Sequence, residues 1–151
     1  MGLDAVQAQG LADGYTAVWN SGSAAAVAGF YAPKGSIVIN RGAPWAGRAG
    51  VEAMANGFYA DVPDLRLTCD GVRLLGDHMV YLWTFTGHHS GTKNPLHICG
   101  CEEWDLEDTG QIGFSRGWYD AADLPGRSPV RSVRPKAADD PKRSDRALSR
   151  L

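Results

Sequence analysis

The sequence predicts an α+β domain in which three N-terminal helices precede a long antiparallel sheet. Apolar residues recur at helical spacing up to about residue 60, and from there onward they follow the shorter spacing of strands. Turn signals separate the strands, and the sequence contains no internal repeat. The chain has 151 residues, of which 44% are hydrophobic, so it is long enough to bury a core as one domain.

The first helix is predicted by an apolar stripe that ends at the turn-forming residues 19–22. A short second helix is expected to begin after Ser23, a favourable N-cap residue, to include Tyr31 in its stripe and to stop before Pro33. The third helix is expected over residues 47–59. The first stripe consists of Leu3, Val6, Leu11, Tyr15 and Val18, and the inward face of the third helix consists of Val51, Met54, Ala55 and Phe58.

β-Branched residues predict a short strand over residues 36–40, before the third helix. Alternating patterns after that helix predict four longer strands, over residues 65–75, 79–89, 96–106 and 111–119. In the first long strand the alternation changes phase at Gly71, which predicts a bulge there.

Bulky residues occupy both faces of the predicted strands, as the neighbours Leu82 and Trp83, and Trp118 and Tyr119, illustrate. A sheet that packed on helices through one face only would expose polar residues on the other face. We therefore expect the second face to contact a second copy of the chain in a homodimer.

Charge divides the chain near residue 125. The net charge is −2, yet residues 126–151 carry eight Lys and Arg against three Asp, and they contain no aromatic residue. This basic, Pro- and Arg-rich segment buries too little apolar surface to offset its ordering entropy, so it is expected to be a flexible tail after a domain at residues 1–125. Nucleic-acid binding by the tail is a further alternative, but the acidic body carries no such motif, and no nucleic-acid partner is predicted.

Composition and motifs exclude several classes of protein. No run of about 18 apolar residues is present, so no membrane span is predicted, and the N-terminus lacks a secretory signal pattern. Three cysteines cannot form a complete disulfide set, which favours the cytoplasm. Cys99 and Cys101 would share one strand face with His97 and no further nearby ligand, so buried thiols are preferred over a metal site.

Two ionisable residues follow strands that carry aromatic side chains. Asp120 is predicted on the same strand face as Phe114 and Trp118, where an apolar setting would raise its pKa and suit a general base. The alternative for Asp120 is a turn or cap residue. His89 ends the strand of Trp83 on the same face, and it is either a pocket residue or simply hydrogen-bonded.

Three further residues are weaker candidates for a site. Glu102 alternates with Trp104, so both side chains are expected to point inward. Asn40 ends the first strand, and Trp45 lies in the loop that follows it. For each of the three, packing in the core or at a rim is the alternative to a functional role.

Short motifs follow one another in a specific order along residues 3–124. They are Tyr15 to Trp19 with Asn20 and Gly22, Phe-Tyr-Ala-Pro at 30–33, Gly47, Pro-Asp-Leu at 63–65, Trp-Thr-Phe-Thr-Gly-His-His-Ser-Gly at 83–91, Gly-Gln-Ile at 110–112, and Asp120. This ordered set resembles the SnoaL-like polyketide cyclase family, part of the cone-shaped α+β superfamily that also holds ketosteroid isomerase and limonene epoxide hydrolase.

The resemblance implies a curved, mixed or antiparallel sheet that wraps around the N-terminal helices as a cone with an interior pocket, usually in a homodimer. It also implies no metal and no organic cofactor. A carboxylate at Asp120 is expected to act as acid and base, and the family pattern Thr-Gly-x-His-x-Gly falls on residues 86–91, which gives His89 a pocket role. The residues expected to hold a small hydrophobic substrate are Tyr15, Trp19, Asn40, Trp45, Trp83, Glu102, Trp104 and Trp118.

The favoured function is therefore a cofactor-free cyclase or isomerase acting on a hydrophobic ketone, by aldol-type ring closure or by proton transfer next to a carbonyl. The alternative is a binding or scaffold protein of the same fold that sequesters a small apolar ligand. Hydrolase chemistry is disfavoured, because Gly117 stands where the epoxide hydrolase branch needs an Asp.

Overall fold

The computed structural model describes residues 2–124, so the predicted tail at 126–151 lies outside the described residues. No helix in residues 2–124 is both long and apolar enough to cross a membrane. The elements of this part of the chain are α1 (Ala5–Asn20), α2 (Ala24–Ala28), β1 (Tyr31–Ile39), β2 (Trp45–Ala46), α3 (Gly47–Asp61), β3 (Arg66–Leu75), β4 (His78–His88), β5 (Pro95–Leu106), β6 (Ile112–Tyr119) and a 3₁₀ turn (Ala121–Asp123).

The strands form one sheet in the order β2-β1-β6-β5-β4-β3. β1 and β6 run parallel, whereas every other neighbouring pair is antiparallel. α1 packs against β3, α3 packs against β1, and α2 packs against α3. The predicted α+β class, with a mixed sheet beside N-terminal helices, is therefore confirmed.

A capping box starts α1, because the Asp4 carboxylate accepts from the Gln7 backbone N–H while the Gln7 side chain accepts from the Asp4 N–H. The buried face of α1 matches the predicted stripe in part, because Tyr15 is buried and Leu3, Leu11 and Val18 pack half-buried against the core. Val6 is 82% exposed, and small alanines occupy the buried positions of the first turns. These alanines let the helix approach the sheet closely. The buried residues of α1 are Ala8, Ala12, Tyr15 and Trp19.

The boundary between α2 and β1 lies earlier than predicted. Ser23 caps α2 as expected, but the helix ends at Ala28, and Tyr31 already begins β1. Pro33 lies where the register between β1 and β6 is irregular, so its missing N–H interrupts no regular ladder. The third helix is confirmed, and its buried residues are the four predicted ones, Val51, Met54, Ala55 and Phe58.

Two irregularities set which side chains face the helices. The predicted bulge in β3 is confirmed, since the register shifts between Cys69 and Gly71. A second bulge lies in β6, where Leu106 pairs with Ile112 and Asp105 pairs with Phe114. Gly113 is thus an extra residue that changes the phase of the strand.

The bulge at Gly113 makes the predicted face of β6 wrong beyond that residue. Ser115 is fully buried beneath the helices, and Gly117 and Tyr119 face the same way. Trp118 lies on the opposite, outer face, where its indole N–H donates to Glu103 at 2.8 Å and the Arg41 guanidinium lies over its ring. The aromatic stripe predicted to lead into Asp120 therefore lies outside the core.

Candidate active site

A small cavity of about 40 Å³ lies between the helices and the sheet. Its wall is almost entirely apolar, and Glu102 is the single carboxylate in it. A volume of this order admits a small molecule or group rather than a polycyclic one. The lining residues are Trp19, Ile37, Ile39, Met54, Phe58, Leu65, Leu67, Trp83, Phe85, Glu102, Gly117 and Tyr119.

Glu102 lies on β5, and its predicted inward orientation is confirmed, because the residue is only 8% exposed. Three neighbouring side chains donate hydrogen bonds to its carboxylate. The Trp104 indole donates to Oε2 at 2.7 Å, and the Ser115 hydroxyl donates to the same oxygen at 3.3 Å. The Tyr15 hydroxyl lies 3.1 Å from Oε2 and 3.3 Å from Oε1.

These hydrogen bonds make the two carboxylate oxygens unequal. Oε2 of Glu102 has three donors, whereas Oε1 has only the longer contact from Tyr15. A proton on Oε2 would compete with these donors, so Oε1 is the favoured oxygen for gaining or losing a proton. The carboxyl group is therefore anchored through one oxygen and available through the other.

Burial raises the pKa of Glu102 from 4.5 to about 6, while the hydrogen bonds from Trp104, Tyr15 and Ser115 oppose that rise. No basic side chain within residues 2–124 forms an ion pair with this carboxylate. The group is thus largely ionised at neutral pH, and its pKa is close enough to neutrality for proton transfer in both directions.

Two tyrosines near Glu102, Tyr15 and Tyr31, are kept in the neutral form. The hydroxyls of Tyr15 and Tyr31 lie 3.3 Å apart, and both residues are fully buried. Burial, together with the nearby charge of Glu102, raises the pKa of each phenol well above 10. Both phenols remain protonated at neutral pH and supply hydrogen bonds rather than charge.

Trp83 lies in the cavity wall with its ring held from several sides. It stacks on Phe85 with ring centroids 5.7 Å apart and contacts Tyr119 at 6.2 Å. Gly100 is its partner on β5, and a Cβ there would lie 2.5 Å from Cζ2 of the indole. The glycine is therefore required for the indole to lie against the β5 backbone.

The indole N–H groups of Trp19 and Trp83 are buried and have no hydrogen-bond partner among the described residues. The Trp19 N–H lies near the Tyr15 hydroxyl and opposes the rise in the pKa of that phenol, although the two groups do not meet hydrogen-bond geometry. In contrast, the indoles of Trp104 and Trp118 each donate to a carboxylate.

The structure does not bring the two predicted catalytic residues to this cavity. Asp120 is exposed after the end of β6, and its carboxylate accepts from the Ala122 N–H at 2.9 Å as the cap of the 3₁₀ turn. His89 is buried, but its Nδ1 accepts from the backbone N–H groups of Gly91 and Thr92 in the turn after β4. Neither residue lines the cavity.

The predicted substrate-binding residues divide into three groups. Trp19, Trp83 and Glu102 line the cavity. Tyr15 and Trp104 lie behind it and hold the carboxylate of Glu102. The remaining predicted residues, Asn40, Trp45 and Trp118, lie outside the cavity wall.

Asn40 lies outside the cavity wall and connects the ends of two strands. It lies at the end of β1 with a positive φ of 49°, and its side-chain carbonyl accepts from the Tyr119 N–H at 3.0 Å. This bond fixes the end of β6 beside β1. Trp45 is half-buried in the two-residue strand β2.

Ser115 and Tyr119 also belong to the site, although the sequence pattern did not predict them. Alternation places both on one face with Gly117, and only the glycine at 113 in the sequence signals the change of phase. Among residues 2–124, no group of three or more His, Cys, Asp or Glu side chains is arranged to hold a metal ion.

A model of the SnoaL-like domain family matches residues 12–113, which is more than half of the chain. No match was found among curated protein sequences. Solved structures that resemble this chain include a protein of ketosteroid isomerase-like fold from Catenulispora acidiphila, in complex with trimethylamine. It is 18% identical, with a TM-score of 0.70 over 76% of this chain and 88% of that one.

Two further structures show a similar likeness. SalBIII, described as an epoxide hydrolase/cyclase-like enzyme of pyran ring formation in the polyether salinomycin, is 14% identical, with a TM-score of 0.70 over 80% of this chain and 95% of that one. AclR, a putative hydroxylase from Streptomyces galilaeus, is 17% identical, with a TM-score of 0.69 over 80% and 94%. At these identities the likeness establishes the fold.

Proposed function

Since this chain belongs to the SnoaL-like domain family, we propose that it is a cofactor-free enzyme that moves a proton next to a carbonyl group of a hydrophobic ketone. The reaction is either an isomerisation or an aldol-type ring closure. Glu102 is the acid and base in this proposal, in place of Asp120.

One observation carries the proposal. A single carboxylate lies in the wall of an otherwise apolar cavity, and its pKa of about 6 lets it accept a proton near neutrality and return it. Three donors hold the carboxylate through Oε2, so Oε1 is available to a ligand. This is the arrangement that a general base requires.

Oε1 of Glu102 takes a proton from the carbon next to the carbonyl, and the electron pair of the broken C–H bond moves to form an enolate. In an isomerisation, Glu102 returns the proton to a different carbon. In a ring closure, the enolate carbon attacks a second carbonyl of the same molecule, and Glu102 returns the proton to the new alkoxide.

The minimal test is hydrogen–deuterium exchange at the α-carbon of a small ketone, because it needs no knowledge of the natural substrate. Cyclopentanone in D₂O, followed by ¹H NMR, is expected to lose its α-proton signals faster with the protein present. Glu102→Gln is expected to abolish the catalysed exchange while leaving the fold intact, since glutamine keeps an acceptor oxygen for Trp104.

Asp120→Asn is the matched variant, since it changes a carboxylate outside the cavity. Retained exchange in Asp120→Asn together with loss in Glu102→Gln supports the assignment. The reverse pattern would return the role of base to Asp120, with His89 as its partner. The absence of catalysed exchange in the wild-type protein would contradict enolisation of this ketone and favour the second function below.

The second function is non-catalytic binding of a small apolar ligand. The limited volume of the cavity, about 40 Å³, favours this alternative, and the relative from Catenulispora acidiphila holds the small molecule trimethylamine. In that case Glu102 would set the charge preference of the site rather than transfer a proton. Binding of trimethylammonium without catalysed ketone exchange is the result that would select it.

We also propose that the chain forms a homodimer in the cytoplasm. The outer face of the sheet carries half-buried Trp118 and Phe114, each beneath a guanidinium, which suits a mixed apolar and charged interface. All three cysteines are unpaired, in keeping with a reducing compartment. Sedimentation equilibrium at tens of micromolar is the check, and a monomer would contradict the dimer.

A further inference from the structure

Two buried indole N–H groups in residues 2–124 make no hydrogen bond. The indole nitrogens of Trp19 and Trp83 have no partner within residues 2–124, and the two residues are only 6% and 7% exposed. Leaving a buried donor unpaired costs free energy, so such groups are rare in native proteins and call for an explanation.

Both unpaired indoles belong to the wall of the same cavity that contains Glu102. Two other tryptophans have paired indole N–H groups, since Trp104 donates to Glu102 and Trp118 donates to Glu103. Both tryptophans with an unpaired indole N–H are thus residues of the cavity wall. Their rings are fixed by packing, Trp83 on Phe85 and Trp19 edge-on to Tyr15.

We propose that the indole N–H groups of Trp19 and Trp83 are the hydrogen-bond donors for a ligand oxygen in this cavity, and that they restrict its ligands to apolar molecules that carry a carbonyl or another acceptor-only oxygen. This inference rests on the proposed function and names its substrate class. On enolisation, the negative charge that develops on this oxygen strengthens the same hydrogen bonds.

Three features favour an acceptor oxygen over other ligand chemistries. A hydrocarbon would fill the space and leave both donors unpaired. An ammonium ion would be attracted to Glu102 and to the aromatic rings, but it has only donors and would also leave the indoles unpaired. A carbonyl oxygen accepts two hydrogen bonds and brings no donor that lacks an acceptor in the apolar wall.

The test uses the wild-type protein and a matched pair of probes. Cyclopentanone and methylenecyclopentane have nearly the same shape, and only the first has an acceptor oxygen. The readout is the indole N–H region of a ¹⁵N-resolved NMR spectrum, in which the five tryptophans give five assignable signals. Trp45 and Trp118 lie outside the cavity wall and serve as internal controls.

With saturating cyclopentanone, we expect the indole protons of Trp19 and Trp83 to move downfield, while the signals of Trp45 and Trp118 stay in place. Methylenecyclopentane is expected to produce no such downfield change. Equal changes with both probes, or none with either, would overturn the inference. Trimethylammonium binding in preference to the ketone would overturn it as well.

Variants supply an affinity readout that is separate from the spectrum. Trp83→Phe is expected to weaken cyclopentanone binding roughly two- to ten-fold more than methylenecyclopentane binding, since only the ketone loses a hydrogen bond. Trp118→Phe is the control on the outer face and should change neither affinity. An equal loss for both probes in Trp83→Phe would mean that the indole contributes shape alone.

Failure of this inference and failure of the proposed function give different results. Catalysed exchange of the ketone without movement of the Trp19 or Trp83 signals leaves Glu102 as the base and removes the indoles from the site. Movement of these signals without catalysed exchange keeps the carbonyl site and removes the enzymatic reaction.

Discussion

Gly117 of β6 pairs directly with Glu102 of β5, and the absence of a side chain at Gly117 opens the cavity toward the carboxylate. A Cβ at this position would lie 3.9 Å from Cγ of Glu102 and 3.6 Å from Cγ1 of Ile39, which are ordinary contact distances. The position therefore has space for a methyl group, and a methyl group there would occupy part of the cavity.

Substitution of Gly117 is expected to close the cavity without unfolding the protein. Gly117→Ala should fold normally and weaken cyclopentanone binding, because the added methyl occupies part of a volume of only about 40 Å³. Gly117→Val should weaken binding further and lower stability by about 1–3 kcal/mol through overpacking. Urea unfolding and NMR titration measure the two effects. Unchanged binding in both variants would contradict a ligand site beside Glu102.

Gly10 is a position where an added methyl group is expected to stabilise the protein. It lies on the exposed side of α1, where a Cβ would meet no atom within 4 Å. Gly10→Ala is expected to raise the free energy of unfolding by about 0.5–1 kcal/mol, because alanine loses less backbone entropy in a helix. Ketone binding should not change. A lower urea midpoint would show that the glycine has a structural function in α1.

Glu102 is expected to make stability depend on pH. Its pKa rises from 4.5 to about 6 on folding, so the folded state favours the protonated form. The contribution is fully present below pH 4.5 and is lost as the pH rises through about 6, with a total near 2 kcal/mol. The measurement is the difference in unfolding free energy between wild type and Glu102→Gln from pH 4 to 8. A difference independent of pH would contradict the raised pKa.

Trp104 is expected to set the pH at which Glu102 ionises. Its indole donates the shortest hydrogen bond to the carboxylate, at 2.7 Å, and this bond favours the charged form. Trp104→Phe should therefore raise the pKa of Glu102 and move the acidic limb of the ketone-exchange profile to higher pH. Trp118→Phe removes the corresponding bond to Glu103 on the outer face and should leave the limb in place. If the acidic limb of the profile lies at the same pH in both variants, Trp104 does not set the pKa of Glu102.

Asp64 and His88, which do not line the cavity, form a second pH-dependent contact. The Asp64 carboxylate accepts from the His88 backbone N–H at 2.8 Å and lies 2.6 Å from Nδ1 of its ring. These bonds lower the pKa of Asp64, so its stabilising contribution is present above pH 3.8 and is lost as the pH falls through its folded value.

Asp64→Asn is accordingly expected to be less stable than wild type at pH 7, with the difference shrinking below pH 3.8. Asparagine keeps an acceptor for the backbone N–H, so the variant isolates the loss of charge. Urea unfolding between pH 3 and 7 measures the effect. Ketone exchange should be the same in both proteins, and a loss of exchange would show that the contact also shapes the site.

Local patterns were sufficient to predict several parts of this fold. The four buried residues of α3 follow from helical spacing, and the bulge near Gly71 follows from a change in strand alternation. The inward position of Glu102 follows from its alternation with Trp104. In each case, the signal lies within one element and needs no knowledge of its neighbours.

The site itself depends on features that local patterns do not reveal. The extra residue at Gly113 reverses the facing of the rest of β6, so Asp120 and Trp118 lie outside the cavity wall. The start of β1 at Tyr31 depends on pairing with β6, about eighty residues later in the chain. Sequence alternation assigns a phase, but only strand pairing shows where that phase is interrupted.

The position of β6 between β1 and β5 also constrains the order of folding. Within residues 2–124, β1 joins the rest of the sheet only through its parallel pairing with β6, since its other neighbour is the two-residue strand β2. During synthesis, α1 to β5 must wait for the final strand before Ile39, Glu102 and Gly117 come together. Non-local parallel pairing is slow to form, so we expect this part of the cavity wall to form last. Until then, the unpaired edges of β1 and β5 are the segments most exposed to misassembly.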